Sequence, residues 1–412
     1  MFACTAPRTR RDHDGASPTA RFSPRLARRC MRIVHYLNHM CLGNGHVAVA
    51  VDLACDQVNA GHDVYVVSGY GDLDALLVRN GVKVIQFGDS KGPLKLGIMA
   101  WRFWRTVRRI KPDVVNAHMV YAALSARIVR LWQRFGLVTT VHNSFDEQAN
   151  LMRVGDRVIT VSEAVGKDMH ARGIPRAKLR TVTNGTVGGV RRPVFFGAPV
   201  SLLHPAIVTV CGLHSRKGVD YLIDGFAMVR KRYPGAHLYL VGGGPEQAEF
   251  EARAEASGSG HHIHFMGYRD DPRDVLASAD IFVLASLRDP CPLVIFEARE
   301  MGNPIIASAV DGIPAALGHG QRGVLVPPAD SDALAREITR LLGDERLRET
   351  LSSAARENIA EISVRRMSQE TLAVYRETLP PGLREAEERE PTVRPRRALP
   401  RDEVAETGGG RG

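Results

Sequence analysis

A chain of 412 residues is too long for one modest hydrophobic core and long enough for two domains with terminal tails. Apolar residues make up 44% and charged residues 24%, close to the values of ordinary soluble proteins, which excludes a wholly disordered or collagen-like chain. No stretch approaches the roughly 18 uninterrupted apolar residues that a membrane-spanning helix needs.

The formal net charge of +10 does not indicate a nucleic-acid partner. Residues 1–30 contribute seven arginines against two aspartates, and residues 379–412 carry seven basic and seven acidic side chains. The excess charge of the middle of the chain is therefore mild, and no arginine-rich recognition helix, zinc-finger spacing or aromatic RNA-binding motif accompanies it. Six scattered cysteines without a Cys-x-x-Cys pair are typical of a reduced, cytoplasmic protein.

Both ends of the chain have the composition of tails. Residues 1–30 mix Arg, Ser, Pro and Ala without apolar periodicity, which predicts a disordered leader. They lack the apolar run of a secretory signal, and an Arg- and Ser-rich transit peptide is the alternative interpretation. Residues 380–412 begin with Pro380-Pro381-Gly382 and continue charged and Pro-containing, which predicts a disordered tail.

Between the tails, short apolar runs alternate with helical patterns in two successive sets. The first set of predicted strands is Arg32–Leu37, Asp63–Val67, Val82–Gln86, Asp113–Asn116, Leu137–Val141 and Val158–Val161. The second set is Ala206–Cys211, His237–Val241, His262–Phe265, Ile281–Leu284, Pro304–Ala307 and Gly323–Val326. Strands separated by helical patterns of about 10–15 residues indicate parallel sheets with crossover helices.

This alternation predicts an α/β protein with two Rossmann-like domains that face each other across a cleft. We place an N-terminal domain at residues 31–188, a linker rich in Gly, Pro and Arg at 189–201 and a C-terminal domain at 202–363. We expect a helix at 364–379 to cross back to the N-terminal domain. Because open parallel sheets bind ligands at the carboxyl ends of their strands, the cleft is the expected site.

The loop and helix after the fourth strand of the second set carry the strongest chemical signal. Pro292 suits the first turn of a helix, and the amides of Leu293 and Val294 would lie at its N-terminus, ready to bind a phosphate. Glu297 follows one turn later on the same face, where its carboxylate can accept hydrogen bonds from the two hydroxyls of a ribose. Asp289 is the acid in the loop before the helix. The alternative is that these are surface acids stabilised by the helix dipole.

This segment resembles the acid-x7-acid motif of the GT-B glycosyltransferases of family 4, which use nucleotide sugars and retain the anomeric configuration. The resemblance covers most of residues 31–376 and adds the GT-B arrangement to the predicted fold. It is carried by motifs that follow the family's order: Val34–Ala60 with Gly43-Asn-Gly45, Lys111-Pro-Asp-Val-Val-Asn-Ala-His118, Val141-His142-Asn143, Val161-Ser162-Glu163-Ala164, Asn184-Gly185, Lys217-Gly218, Val241-Gly-Gly-Gly244-Pro245 and Asp311-Gly312-Ile313-Pro314.

The resemblance implies a role for each matching residue. Glu297 would hold the donor ribose, and Asp289 would contact the transferred sugar. The amides of Leu293 and Val294 would bind the diphosphate together with Lys217. On the first domain, His118 would touch the sugar ring near the reacting carbon, and Gly45 would let the backbone approach the phosphates. Gly244, in the Gly-Gly-Gly turn, completes the expected donor-binding residues with Arg216.

The sequence departs from the family at three of these positions. Asp289 stands where the family usually has Glu, so the carboxylate has a shorter reach. Gly212 stands where the family usually has an Arg that binds phosphate, and Arg216 is the candidate substitute from another side of the turn. Ala315 stands where the family usually has Glu. These departures put turnover in doubt and leave open a degenerate protein that binds nucleotide sugars without transfer.

The resemblance also implies a mechanism without a metal or other cofactor. Lys217 and the helix N-terminus would stabilise the charge that develops on the departing diphosphate, and the cleft loops hold no Asp-x-Asp pair. The anomeric carbon would pass through an oxocarbenium-like state. The acceptor hydroxyl would attack from the side of the leaving group, and the departing phosphate would take its proton.

The stretch Lys91–Lys111 is basic with interleaved aromatic residues and has two interpretations. As a crossover helix, it would pack a stripe of Ile98, Trp101, Trp104 or Arg105, and Val107 against the core, with its cations in solvent. As an interfacial helix, it would rest on an anionic membrane surface and receive a lipid-linked acceptor. The two interpretations are compatible, because one face can pack while the arginines touch headgroups.

A dehydrogenase is a further alternative, because Gly43-Asn44-Gly45-His46-Val47-Ala48 matches the dinucleotide-binding pattern Gly-x-Gly-x-x-Ala. Five residues separate the preceding strand from Gly43, however, and the next strand ends in Ser68 where a ribose-binding acid is expected. We therefore expect a cytoplasmic glycosyltransferase, peripheral on the inner face of the membrane. It would move a hexose-type sugar from a nucleotide sugar to a saccharide or lipid-linked acceptor, in cell-surface polysaccharide or glycolipid synthesis.

Overall fold

The structure is a computed structural model that describes residues 30–88, 95–192 and 198–381. The predicted leader up to residue 29 and the predicted tail from residue 382 lie outside the described residues, as do 89–94 and the linker segment 193–197. None of the described helices is long and apolar enough to cross a bilayer.

The first domain is a parallel sheet with helices on both faces. Its strands are β1 (Arg32–Tyr36), β2 (Asp63–Ser68), β3 (Lys83–Gln86), β4 (Val114–Ala117), β5 (Gly136–Val141), β6 (Arg157–Thr160) and β7 (Leu179–Thr181). Its helices are α1 (Gly45–Asn59), α2 (Asp74–Arg79), α3 (Lys95–Ile110), α4 (Val120–Val129) and α5 (Glu163–Ala171). Within the described residues the strand order is β3-β2-β1-β4-β5-β6-β7, and every pair is parallel.

The second domain repeats this plan. Its strands are β8 (Ala206–Val210), β9 (His237–Val241), β10 (Ile263–Gly267), β11 (Ile281–Leu284), β12 (Ile305–Ser308) and β13 (Val324–Val326). Its helices are α6 (Val219–Arg230), α7 (Gln247–Ala256), α8 (Arg273–Leu276), α9 (Leu293–Met301), α10 (Ile313–Ala316), α11 (Ser331–Gly343) and α12 (Glu345–Ala355). For the described part of the chain the strand order is β10-β9-β8-β11-β12-β13, again all parallel.

The predicted α/β class with two Rossmann-like domains is confirmed. Each predicted strand is present within one or two residues, because strands covered on both faces are continuous apolar runs that stand out in a sequence. The residues of β4, β5 and β11 are all buried. The edge strand β7 was not predicted, since its three residues are too few to form such a run.

The last described helix, α13 (Val364–Arg376), lies against the first domain although it follows the second domain in the chain. The hydroxyl of Tyr375 accepts a hydrogen bond of 2.8 Å from the amide of Asn116 in β4. Just beyond the helix, the carboxylate of Glu377 accepts hydrogen bonds from Arg157 and Arg180. Helix α13 and the residue that follows it are therefore fastened to the first sheet.

The core-facing stripe predicted for α3 is right at Val107 and wrong at Ile98 and Trp101. Ile98 and Trp101 are 38% and 54% exposed, whereas Met99 and Phe103 pack against the core together with Val107. These three residues are spaced by four, so they form one stripe along the helix, and Ile98 and Trp101 lie outside it. Trp101 stays at the surface, where the Arg105 guanidinium lies 5.1 Å from its ring centre.

Candidate active site

Both sheets reverse their strand order in the middle, and the candidate residues lie at those two points. In the first sheet the reversal lies between β1 and β4, and in the second between β8 and β11. Loops that leave neighbouring strands in opposite directions open a crevice at the carboxyl ends of the strands. Gly45 follows β1 and His118 follows β4, while Lys217 follows β8 and Asp289 follows β11.

Lys217 and Asp289 form an ion pair at the reversal point of the second sheet. Gly218, with φ of +61°, ends the turn that carries Lys217, and a Cβ there would come within 2.1 Å of the Ala285 carbonyl oxygen. Only glycine permits this approach, which presses the turn against the end of β11. The carboxylate of Asp289 also accepts a hydrogen bond of 3.3 Å from the Ser286 hydroxyl. Asp289 is buried and the Lys217 side chain is 12% exposed, so a cation and an acid lie together with little contact to solvent.

The helix α9 begins beside this pair. Pro292 is its N-cap residue, and no side chain caps its first amides. The Asp289 amide donates a hydrogen bond of 2.7 Å to the carboxylate of Asp311, which fixes the loop before the helix. The first amides of a helix lack partners within the helix and carry partial positive charge. The amides of Leu293 and Val294 are therefore placed to bind an anion close to Lys217.

Glu297 lies one turn further along α9 and already has a cationic partner. Its carboxylate contacts the guanidinium of Arg192, and the two side chains are 5% and 15% exposed. Arg192 belongs to the predicted linker, which the sequence analysis did not connect with the site. Two consecutive arginines in a Gly-rich segment were the signal that could have drawn attention to it.

The glycine-rich loop of the first domain meets α9 across the cleft. A Cβ on Gly45 would lie 3.7 Å from a methyl group of Leu293, and one on Gly43 would lie 3.9 Å from the Tyr268 ring. Leu293 also packs against the core of the first domain. The structure therefore brings Gly45 next to the helix N-terminus on which the predicted phosphate contacts lie.

Gly244 and Gly212 are close-packed positions of neighbouring turns. A Cβ on Gly244 would come within 2.2 Å of the Leu213 carbonyl oxygen, so this glycine is required by the fold itself. A Cβ on Gly212 would lie 3.0 Å from the His214 ring. A side chain at position 212 would therefore require the His214 ring to shift.

Arg216 points across the cleft to the first domain. Its guanidinium lies 5.9 Å from the ring centre of Phe145, and the guanidinium of Arg288 lies 4.6 Å from the same ring. Guanidinium groups at such distances are attracted to the face of an aromatic ring. Phe145 and the two arginines form a contact between the domains.

His118 is the centre of a row of imidazoles under the carboxyl ends of β1, β4 and β5. Its Nε2 lies 3.0 Å from His35 Nδ1, and its Nδ1 lies 3.0 Å from His142 Nε2. The His35 Nε2 lies 2.8 Å from the amide oxygen of Gln57, which only accepts. We assign the protons accordingly, with every imidazole protonated at Nε2. His35 then donates to Gln57, His118 donates to His35, and His142 donates to His118.

Burial keeps these imidazoles neutral. It lowers the pKa of His35 to about 4, that of His142 to about 3 and that of His46 to about 4. It also lowers the pKa of His118 well below its ordinary value, and the neighbouring histidines add to the effect. Neutral imidazoles donate and accept hydrogen bonds without attracting anions.

A cavity of about 310 Å³ opens beside this row in the first domain. Its wall combines the polar groups of His46, His118, Tyr121, His142, Asn143 and Asp146 with apolar side chains such as Met119, Val120 and Met152. None of its lining residues in the described part of the chain is Lys or Arg. The cavity therefore suits an uncharged group rich in hydroxyls. Over residues 30–88, 95–192 and 198–381, no group of three or more His, Cys, Asp or Glu side chains is arranged to hold a metal ion.

Two family models match this chain in succession. The model described as Glycosyltransferase Family 4 matches residues 43–186, and the model described as Glycosyl transferases group 1 matches residues 204–344. The first match includes Gly43, and nothing in these similarities points to a dehydrogenase.

Relatives and solved structures agree with the family models. A lipopolysaccharide core biosynthesis glycosyltransferase, LpsE of Rhizobium meliloti, is 26% identical over 271 residues, which are 65% of this chain and 74% of that protein. A glycosyltransferase from Rickettsia africae has a TM-score of 0.74 at 19% identity, over 85% of this chain and 98% of that one.

The Anabaena protein Alr3699/HepE in complex with UDP-glucose has a TM-score of 0.72 at 21% identity, over 83% of this chain and 99% of that one. At sequence identities this low, the structural similarity establishes a shared fold. With the strand orders described above, they identify the arrangement of the two domains as GT-B. The chain is therefore a glycosyltransferase of the GT-B fold, with a Family 4 domain over residues 43–186 and a group 1 domain over residues 204–344.

Proposed function

We propose that the protein is a retaining glycosyltransferase that moves a hexose-type sugar from a nucleotide sugar to a saccharide, free or lipid-linked, in cell-surface polysaccharide or glycolipid synthesis. The observation that carries this proposal is the ion pair of Lys217 and Asp289 beside the N-terminus of α9. A largely shielded cation and a helix N-terminus that its N-cap proline does not cap suit a diphosphate, and the acid beside them suits the attached sugar. The relative named for lipopolysaccharide core biosynthesis and the neighbour that binds UDP-glucose support the same class.

In this proposal, the donor spans the second domain along α9. The amides of Leu293 and Val294 bind the diphosphate, and Glu297 accepts hydrogen bonds from the ribose hydroxyls. Lys217 has three N–H donors and gives one to Asp289, so that others are left for the diphosphate. Gly45 closes the phosphate site from the first domain.

Transfer breaks the bond between the anomeric carbon and a phosphate oxygen and forms one to the acceptor oxygen. The departing diphosphate gains negative charge, which Lys217 and the helix N-terminus stabilise without metal or cofactor. Asp289 contacts the transferred sugar, and His118 contacts its ring near the reacting carbon. The acceptor hydroxyl attacks on the face that the diphosphate leaves, and the diphosphate takes its proton, so the anomeric configuration is retained.

The acceptor binds in the cavity beside His118. Its wall combines hydroxyl, amide and imidazole groups with apolar side chains, and it holds the Asp146 carboxylate without a Lys or Arg among the described residues. This lining supports a saccharide with free hydroxyls over an acceptor that carries a phosphate or carboxylate at the reacting end. Such a saccharide is either soluble or attached to a lipid.

We place the protein in the cytoplasm, with α3 on the inner face of the membrane. Arg105, Arg108 and Arg109 are exposed on this helix, next to the exposed ring of Trp101. Helix α4 packs beside α3 and leads into an exposed Trp132. Arginines interleaved with aromatic rings suit the headgroup region of an anionic bilayer.

The proposal is tested with the purified chain and a panel of UDP-, GDP- and ADP-linked hexoses, with neutral oligosaccharides as acceptors. One donor should raise the melting temperature in proportion to the logarithm of its concentration and release its nucleoside diphosphate when an acceptor is present. Nuclear magnetic resonance of the product should show the anomeric configuration of the donor. Glu297→Gln should lose donor binding, and Glu345→Gln, at an exposed acid of α12, should keep it. Donor binding without release for every acceptor would instead identify a binding protein without turnover.

A further inference from the structure

Two consecutive arginines of the linker each hold a buried carboxylate, one in each domain. Arg191 binds Asp52 of α1 through its guanidinium at 2.9 Å and through its backbone amide at 3.2 Å. Arg192 contacts Glu297 of α9. The linker is therefore tied to the glycine-loop helix of the first domain and to the donor helix of the second.

The pair of Arg192 and Glu297 differs from a surface ion pair. Glu297 is buried and Arg192 is largely shielded from solvent, and Arg192 has a second contact of 3.4 Å with the carbonyl oxygen of Asp270. A buried carboxylate needs a cation or several hydrogen-bond donors to stay charged, and losing its partner is costly. Arg192 therefore fixes both the charge and the direction of the Glu297 carboxylate.

The guanidinium of Arg192 also has a donor to spare. Its Nε is buried and has no hydrogen-bond partner among the described residues. Buried N–H groups are rarely left without an acceptor, and those that are often face a ligand or water site. A hydroxyl that donates to Glu297 can accept from this N–H at the same time, because a hydroxyl does both.

We propose that Arg192 is a specificity residue of the donor site, which reads the ribose hydroxyls together with Glu297. The inference rests on the proposed role of Glu297 in donor binding and adds a residue from outside both matched family domains. Arg192 orients the carboxylate for the hydroxyls, and its Nε–H donates to the 2′-oxygen. A ribonucleotide then satisfies both groups, whereas a 2′-deoxyribonucleotide leaves the buried Nε–H without an acceptor.

Isothermal titration calorimetry of the full chain with UDP, GDP and ADP, and with their 2′-deoxy counterparts, tests this role. The wild type should prefer one ribonucleotide over its deoxy form by about tenfold or more, as expected for hydrogen bonds to charged groups. Arg192→Gln should reduce this preference to less than about threefold while still binding the nucleotide. Arg192→Lys keeps a charge beside Glu297 and should fall between the two, and it serves as the test if Arg192→Gln does not fold.

Arg191→Gln is the matched control, because it removes the neighbouring arginine from another buried carboxylate. It should lower the melting temperature and leave the preference for ribose unchanged. If Arg192→Gln and Arg192→Lys weaken both nucleotides equally, Arg192 is merely structural and the inference is wrong, while the donor site stands. If the wild type binds none of the six nucleotides, the proposed function fails, and this inference fails with it.

Discussion

Lys217 and Asp289 lie 72 residues apart in the chain and form an ion pair between the turns that follow β8 and β11. The two strands are hydrogen-bonded neighbours in the sheet, so the turns leave it side by side. In the proposed site, this pair would hold the aspartate carboxylate at the position where the family that the sequence resembles usually has a glutamate. The Gly218 turn carries the cation close enough for the shorter side chain to reach it.

We predict that Lys217→Met lowers turnover about a hundredfold or more, because the developing charge of the diphosphate loses its nearest cation. The variant should also lose stability, up to about 3–5 kcal/mol, since Asp289 is left buried without its partner. Initial rates and urea unfolding measure the two effects.

The double variant Lys217→Met/Asp289→Asn separates them. It removes the unpaired charge and should recover most of the lost stability without recovering turnover. A near-normal rate in Lys217→Met would show that another cation, such as Arg216, carries the diphosphate.

Gly45→Ala should weaken donor binding without harming the fold. The added methyl group would lie 3.7 Å from Leu293, an ordinary contact, and alanine favours the first turn of α1 more than glycine does. With a donor present, the methyl group would lie where the diphosphate approaches the backbone. We expect a melting temperature no lower than that of the wild type and an affinity for the nucleoside diphosphate that is reduced about tenfold.

Gly97→Ala is the matched control for this change, because a Cβ at this glycine of α3 meets no atom of the described residues within 4 Å. It should leave the affinity as it is and raise the stability slightly, because alanine favours a helix more than glycine does. Equal affinities of Gly45→Ala and the wild type would remove Gly45 from the phosphate site.

The parts of this site that could be predicted from the sequence are those coded by short segments. Leu293, Val294 and Glu297 follow from one strand, a loop and one helix turn, whose geometry is fixed by local spacing. The contact of Arg192 with Glu297 joins residues that are 105 positions apart, since 297 − 192 = 105. A linker has neither helical nor strand periodicity, so nothing in its pattern indicates which group it meets.

The row of imidazoles could not be predicted for a related reason. His35, His118 and His142 each belong to a different strand or strand end, and only the register of β1, β4 and β5 brings them together. The rotation of α3 was missed because arginines interleave its apolar residues at every spacing. Two competing stripes then fit the same sequence, and packing against β-strands selects between them.

The first domain should lose stability as the pH falls from about 6.5 to about 4. The pKa of buried His35 is lowered to about 4, whereas an unfolded histidine has a pKa of about 6.5. Between these pH values the unfolded chain binds a proton at this histidine and the folded chain does not. The contribution of His35 to the free energy of unfolding is therefore fully present above pH 6.5 and is lost on acidification. Urea unfolding of His35→Asn should therefore lose about 2 kcal/mol less than the wild type between pH 7 and pH 5.

His261→Asn is the comparison for this variant, because His261 is exposed. Its unfolding free energy should follow the pH dependence of the wild type. Parallel curves for His35→Asn and the wild type would mean that His35 does not contribute to the loss of stability in acid.

The exposed arginines of α3 should bind anionic membranes, and each should contribute about 1 kcal/mol of salt-sensitive attraction. The triple variant Arg105→Gln/Arg108→Gln/Arg109→Gln should therefore have a partition coefficient for phosphatidylserine vesicles about a hundredfold lower than the wild type, measured by sedimentation. Arg102 is left unchanged because its guanidinium donates to the Phe87 carbonyl.

The control Arg336→Gln/Arg340→Gln/Arg346→Gln removes the same charge from exposed positions of α11 and α12. Every variant keeps residues 1–30, so the arginines of that segment affect all alike. If both triple variants sediment equally, α3 is a crossover helix with a solvated face, and a soluble acceptor is favoured.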